Sequence, residues 1–172
     1  PGKLNFASSG GVGSSTFIVS TLFKKAAAID VQVVPYRGGP ESLTAVIRGD
    51  AQVYFGPVNA AFELRNAGKV RVLAVATAER SSVMADVPTI AESGLPGFTY
   101  NAWFGLLAPA STPQHIIARL NSEVARVIAR PGFADRLLAT GAVPLQSSSE
   151  AFSRTMLEET EKLRILLKDE FK

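Results

Sequence analysis

The chain of 172 residues has no cysteine, one histidine and one tryptophan. The missing cysteine removes disulfides, thiolate metal sites and a thiol nucleophile together, without identifying the compartment. With His115 as the only imidazole, zinc and acid–base schemes rest entirely on carboxylates. Glu41, Asp50, Glu63 and Asp86 read as helix-turn and surface carboxylates and not as a convergent pair, so the sequence points away from an enzyme and implies no metal or cofactor. Long apolar runs are absent too: "VRVLAVA" around Leu73 and "WFGLLAPA" around Leu106 fall far short of the roughly 20 residues of a membrane helix. No block of like charge occurs. The net charge of +3 comes from Lys and Arg scattered along the chain, which argues for a solvated surface and against nucleic-acid binding. No signal peptide opens the sequence, and "PGKLNF" already reads as the approach to a strand, so a mature or truncated piece of a longer protein is expected.

The chain does have an ordinary globular composition, 47% hydrophobic and 19% charged, enough to bury a core in one domain or two small lobes. Four short runs rich in Val, Phe and Tyr, at residues 3–7, 31–35, 51–55 and 70–76, read as strands. Helix punctuation lies between them. Ser14 or Ser15 can cap a helix running to about Ala27, Pro40 and Gly49 bracket a second, and Pro57 and Gly68 a third. Strand and helix alternating at this spacing predict an α/β fold with a parallel or mixed sheet flanked by helices.

After Asp86 the texture changes to a proline- and glycine-rich stretch with a short helix expected near Ala91 and a strand at residues 103–107. Beyond Thr112, the spacing of Ile116, Ile117, Leu120, Val124, Val127 and Ile128 predicts a helix with Pro113 in its first turn and Pro131 at its end. Another helix is expected at 134–139, closing at Gly141. Ser147 with Glu150 forms a capping-box pattern for a last one, whose stripe is Phe152, Met156, Leu163, Leu166 and Leu167.

In a parallel sheet the three strand-to-helix loops, "SSGGVGSS", "YRGGP" and "FGP", open on one edge, where open α/β sheets bind ligands. The first is glycine-rich and precedes a helix, yet it is not a nucleotide loop. It lacks the lysine of a phosphate-binding P-loop, and Thr16 stands where the dinucleotide fingerprint needs its third glycine. The nucleophile-elbow pattern G-x-S-x-G is also missing, and His115 reads as a surface residue at a helix start. What remains is anion capture by main chain: unpaired N–H groups at a helix start, with serine hydroxyls beside them, suit a carboxylate. Gly10, Gly11 and Gly13 would let the backbone approach closely and adopt positive φ. Tyr36, Arg37 and Gly38 follow in the second loop. Arg37 either clamps a carboxylate in bidentate fashion or faces solvent.

The blocks "FASSGGVGSS", "VPYRGG", "GDAQVYF", "GKVRVLAVATAERS", "DVPTIAESGLPGF", "WFGLLAPASTP" and "RLNSEVARVIARPGFADRLLATG", in this order over almost the whole chain, resemble the Bug family. These are the periplasmic solute-binding receptors of tripartite tricarboxylate transporters. The resemblance implies a two-lobed Venus-flytrap fold closing on a small organic anion, with delivery to membrane transporter subunits; the same fold could instead serve as the input of a signalling partner. Carried over by position, the cleft residues are Ser8, Ser9, Gly10, Gly11, Gly13 and Ser14 in the first loop, Tyr36, Arg37 and Gly38 in the second, and Phe55 and Gly56 in the third. Two positions depart from the family's habit: Phe17 stands where a histidine is usual, and Gly56 where an aspartate is usual. The second departure turns the expected ligand away from amino acids toward carboxylates without an amino group. The resemblance further implies that residues 1–102 form the second ligand-binding lobe and 103–172 a returning segment of an incomplete first lobe. Half a clamp should bind weakly, and the uncovered apolar helices should favour dimerisation or segment exchange.

Overall fold

A computed structural model describes residues 2–168 of the chain. It divides into two compact units, one reaching Ala102 and one spanning Trp103–Lys168. Residues 169–172, the end of the expected returning segment, lie outside the described residues.

The first unit is built on a parallel sheet of β1 (Asn5–Ser8), β2 (Gln32–Pro35) and β3 (Val53–Tyr54), in the order β2-β1-β3. Helices α1 (Ser15–Ala26), α2 (Gly39–Arg48) and α3 (Val58–Asn66) follow the three strands in turn. Successive residues of a strand face opposite sides of the sheet, and β1 uses this to anchor a helix on each side. Phe6 meets Phe23 of α1, with ring centroids 6.0 Å apart, and Phe55 at 5.9 Å; Phe23 also packs edge-on against Phe98. Its neighbour Ala7 points the other way, into a cluster with Ala45 of α2 and Ala51. The small side chains let α2 lie close to the sheet.

Helix boundaries follow the local chemistry. The Ser14 hydroxyl caps α1 by accepting the Phe17 N–H at 3.3 Å. Proline occupies the first turn of α2, which closes on Gly49 at φ +82°.

The expected fourth strand at 70–76 is not formed. Val75 makes one parallel bridge to Thr89, and Val72 and Val75 pack with Val58, Met84 and Val87. A β ladder needs a partner running alongside, and the segment beside it carries Pro88, which has no N–H to donate. The helix expected near Ala91 is a single turn, held by a reciprocal capping box. Thr89 N–H donates to Glu92 Oε2 at 2.7 Å and Glu92 N–H donates to Thr89 Oγ1 at 3.1 Å. Gly94, at φ +114°, stops it. Arg80 pairs with the same Glu92 carboxylate, and Arg65 forks onto Asp86. These hydrogen bonds hold both carboxyls below the usual carboxylate range, Asp86 through Arg65 and Glu92 through Arg80 and then the Thr89 N–H.

The second unit contains α4 (Gln114–Ile128), α5 (Phe133–Ala139) and α6 (Ser149–Leu166). Residues 103–107, expected as a strand, form no strand and have no ladder partner among the described residues. Phe104 is 99% exposed and Leu106 78%. A strand without a neighbour leaves its hydrogen-bonding groups to solvent, so it is not a strand. Trp103 instead packs edge-on against Phe152 of α6, with centroids 5.1 Å apart, and donates its indole N–H to Glu159. The cap of α6 lies one residue beyond the expected one: the Ser148 hydroxyl accepts the Ala151 N–H at 3.1 Å.

Candidate functional site

Parallel strands bring the loops after β1, β2 and β3 to one edge of the sheet, and the central position of β1 sets its loop between the other two. The register continues past the strand ends, with Tyr36 N–H donating to the Ser8 carbonyl at 2.8 Å, so the first two loops start side by side.

In the first loop the side chains are engaged with one another. The buried Ser8 hydroxyl donates to the Gly10 carbonyl at 2.8 Å and lies 3.0 Å from Thr16 Oγ1. Thr16 Oγ1 accepts the Ser9 N–H at 2.9 Å and sits 3.1 Å from Ser9 Oγ. A turn at 11–14 is closed by Ser14 N–H on the Gly11 carbonyl, with Gly13 at φ +95°, a conformation that favours glycine. Gly10 serves a different purpose, since a Cβ there would lie 3.0 Å from the Ser14 Cβ. Gly11, by contrast, has open space around it and no positive φ, so the expected backbone freedom is used at Gly13 alone.

The main chain is engaged only in part. The N–H groups of Ser9, Ser14, Phe17 and Ile18 have partners. Those of Gly10, Gly11, Val12, Gly13, Ser15 and Thr16 have none among the described residues. Such a run of uncommitted donors at a helix start carries roughly half a positive charge.

The second loop is arranged differently. Gly38 is extended, at φ 178°, and caps α2 with its carbonyl, which takes the Ser42 N–H and hydroxyl at 3.0 Å each. Arg37 is exposed, and its N–H donates to Glu41 Oε2 at 2.8 Å, so an internal carboxylate already occupies that donor. Tyr36 is half-buried against the Ala7, Ala45 and Ala51 cluster.

In the third loop, the Phe55 ring is used in the core with Phe6 and Phe23. Gly56 is exposed, and the Tyr54 ring lies over it: a Cβ at 56 would be 2.2 Å from Tyr54 Cε1. No side chain fits at 56 while the Tyr54 ring holds this position. The Tyr54 hydroxyl is buried without a hydrogen-bond partner among the described residues, near Gly39. Sequence reasoning missed both Thr16, treated only as a failed glycine, and Tyr54. His115 is exposed at the start of α4, in the other unit.

Fold and loop together define a periplasmic-binding-protein-like α/β chain. The family model of the tripartite tricarboxylate transporter family receptor, TctC, matches residues 1–170, and the chain belongs to that family. Its relatives include a UPF0065 protein of the tcbD-tcbE intergenic region of Pseudomonas sp. strain P51, 34% identical over 97% of this chain and 50% of that protein. Protein BugT of Bordetella pertussis is 28% identical over 84% of this chain and 44% of its own length. The chain thus spans about half the length of the curated relatives it matches. Among solved structures, R. palustris Rpa4515 with adipate superposes with a TM-score of 0.89 at 31% identity, over 98% of this chain and 56% of that one. MatC from Rhodopseudomonas palustris with bound malate gives 0.82 at 32% identity, over 96% and 57%.

Proposed function

We propose that this chain is the ligand-gripping part of a non-enzymatic, periplasmic solute-binding receptor that presents small organic dicarboxylates to the membrane subunits of a tripartite transporter. The observation that carries this reading is the run of N–H groups from Gly10 to Gly13 and at Ser15 and Thr16 that have no partner among the described residues, at the carboxyl edge of a parallel sheet. Membership of the receptor family supports it, as do the adipate and malate held by the two R. palustris structures. Residues 1–102 act as the second lobe, and the segment from Trp103 returns to the first. With glycine at 56 and the Tyr54 ring over it, the third loop offers no carboxylate to an ammonium group, which favours plain dicarboxylates over amino acids.

Affinity follows from the number of bonds. Charge-assisted hydrogen bonds contribute about 1.5 to 3 kcal/mol each, while association costs at least about 4 kcal/mol. Three bonds from one loop leave at most about 5 kcal/mol, against roughly 8 for micromolar binding. This chain alone therefore holds adipate or malate no better than about 0.2 mM, and in the millimolar range for weaker bonds. Titration calorimetry tests this reading: weak, saturable heats with either acid support it, and no heat with either at tens of millimolar refutes it.

A further inference from the structure

We propose that Thr16 is a positioning residue that sets the direction of the hydroxyl protons in the first loop, leaving the Ser14 proton available to a ligand carboxylate. The inference rests on the receptor reading above. It follows from counting protons and lone pairs among four hydroxyls, each of which has one proton to give and two lone pairs to fill.

Ser8 spends its only proton on the Gly10 carbonyl at 2.8 Å, so toward Thr16, 3.0 Å away, it can only accept. Thr16 must therefore donate to Ser8. One Thr16 lone pair takes the Ser9 N–H at 2.9 Å, and the Ser9 hydroxyl proton, 3.1 Å away, fills the other. Ser14 is left with long contacts only, 3.3 Å to Ser8 Oγ and 3.4 Å to Thr16 Oγ1, beyond the usual O–H···O separation. Its proton is the one released at least loss, while its oxygen caps α1 through the Phe17 N–H. Thr16 is only 8% exposed, so its hydroxyl acts through its neighbours, separately from the donor that its main-chain N–H contributes. Beside the unpartnered amides of the same loop, the Ser14 proton adds one more donor aimed at an acceptor-only group.

With Thr16 donating, Ser8 already has one hydroxyl donor; without the Thr16 hydroxyl, Ser14 at 3.3 Å is the one neighbour left to supply Ser8 with a proton, which draws that proton inward, and the Ser9 N–H loses its partner. The test compares wild type, Thr16→Val and Thr16→Ser in this chain, titrated with adipate and with uncharged adipamide and followed by backbone amide NMR. The expected result is a rise in the adipate Kd of about tenfold for Thr16→Val, with reduced discrimination between adipate and adipamide. Thr16→Ser should restore both to within about threefold, because it keeps the hydroxyl. A folded Thr16→Val protein that binds and discriminates as wild type does would overturn the assignment, and so would a Thr16→Ser protein no better than Thr16→Val. Were Thr16→Val not to fold, Ser14→Ala carries the same test: the expected loss is again about tenfold, and unchanged adipate binding overturns the proposal. Wild type showing no amide shifts at residues 9–16 with adipate would instead sink the receptor reading itself.

Discussion

Replacing Tyr54 by phenylalanine should make the protein more stable, an unusual sign for deleting a polar group from a folded chain. The Tyr54 hydroxyl is buried and has no hydrogen-bond partner among the described residues, while its ring packs against the Ala7, Ala45 and Ala51 cluster. In the unfolded chain the hydroxyl is hydrated. Folding strips that water without returning a bond, at a cost of about 1 to 3 kcal/mol. Phenylalanine keeps the ring and avoids the cost, so a gain of about 1 kcal/mol is expected, or a melting point higher by roughly 4 °C for a unit of this size. Urea and thermal denaturation of the two proteins measure it. A loss of stability beyond about 0.5 kcal/mol would show that the hydroxyl has a partner and refute the reasoning. The same ring predicts its own control. Gly56→Ala places a Cβ 2.2 Å from Tyr54 Cε1 and should cost about 1 to 3 kcal/mol by overpacking. In a Tyr54→Ala background that cost should largely vanish, which a double-mutant cycle reads directly.

Two further outcomes follow from the packing and the ion pairs. Phe23 joins Phe6, Phe55 and Phe98, with centroids 5.4 to 6.0 Å away, so Phe23→Ala should destabilise the first unit by about 3 kcal/mol in chemical denaturation; a loss under about 1 kcal/mol would contradict its central place. Asp86 and Glu92 have carboxyls depressed below their ordinary values by Arg65 and Arg80, so their contribution is present above the ordinary carboxylate range and is lost as pH falls through the lowered folded values. Stability should therefore drop on acidification, and Glu92→Gln should flatten that dependence; an unchanged acid slope in the variant would contradict it.

Much of the first unit was legible because its punctuation is local. Pro40, Gly49 and Gly68 mark helix ends for reasons contained within a few residues, and α1 and α2 fall almost where those signals put them. The two strands that failed, at 70–76 and 103–107, have strand composition, but a strand exists only with a neighbour, and composition says nothing of neighbours. The capping box of α6 slipped by one residue because consecutive serines at 147 and 148 offer the same hydroxyl. The T-x-x-E pattern at Thr89 and Glu92 was readable and would have shown that the proline-rich block holds structure.

At the site, the serine–glycine loop announced itself by composition, whereas the local bonding of the second and third loops, such as the Arg37 N–H on Glu41 and the Tyr54 ring over Gly56, is visible only once the chain is folded. Arg37 read as either a clamp or a solvent-facing residue; its side chain is exposed while its main-chain N–H is taken by Glu41 four residues on, and the Phe55 ring packs with Phe6 and Phe23. The importance of Thr16 arises only once the chain brings Ser8, Ser9 and Ser14 around it.

Backbone amide NMR of the chain titrated with malate reads the first loop's donors one by one. Saturable shifts should concentrate at Gly10, Gly11, Val12, Gly13, Ser15 and Thr16, whose N–H groups have no protein partner among the described residues. Saturable shifts elsewhere with these six amides unmoved, or no shifts at all, would contradict capture of the anion by this loop.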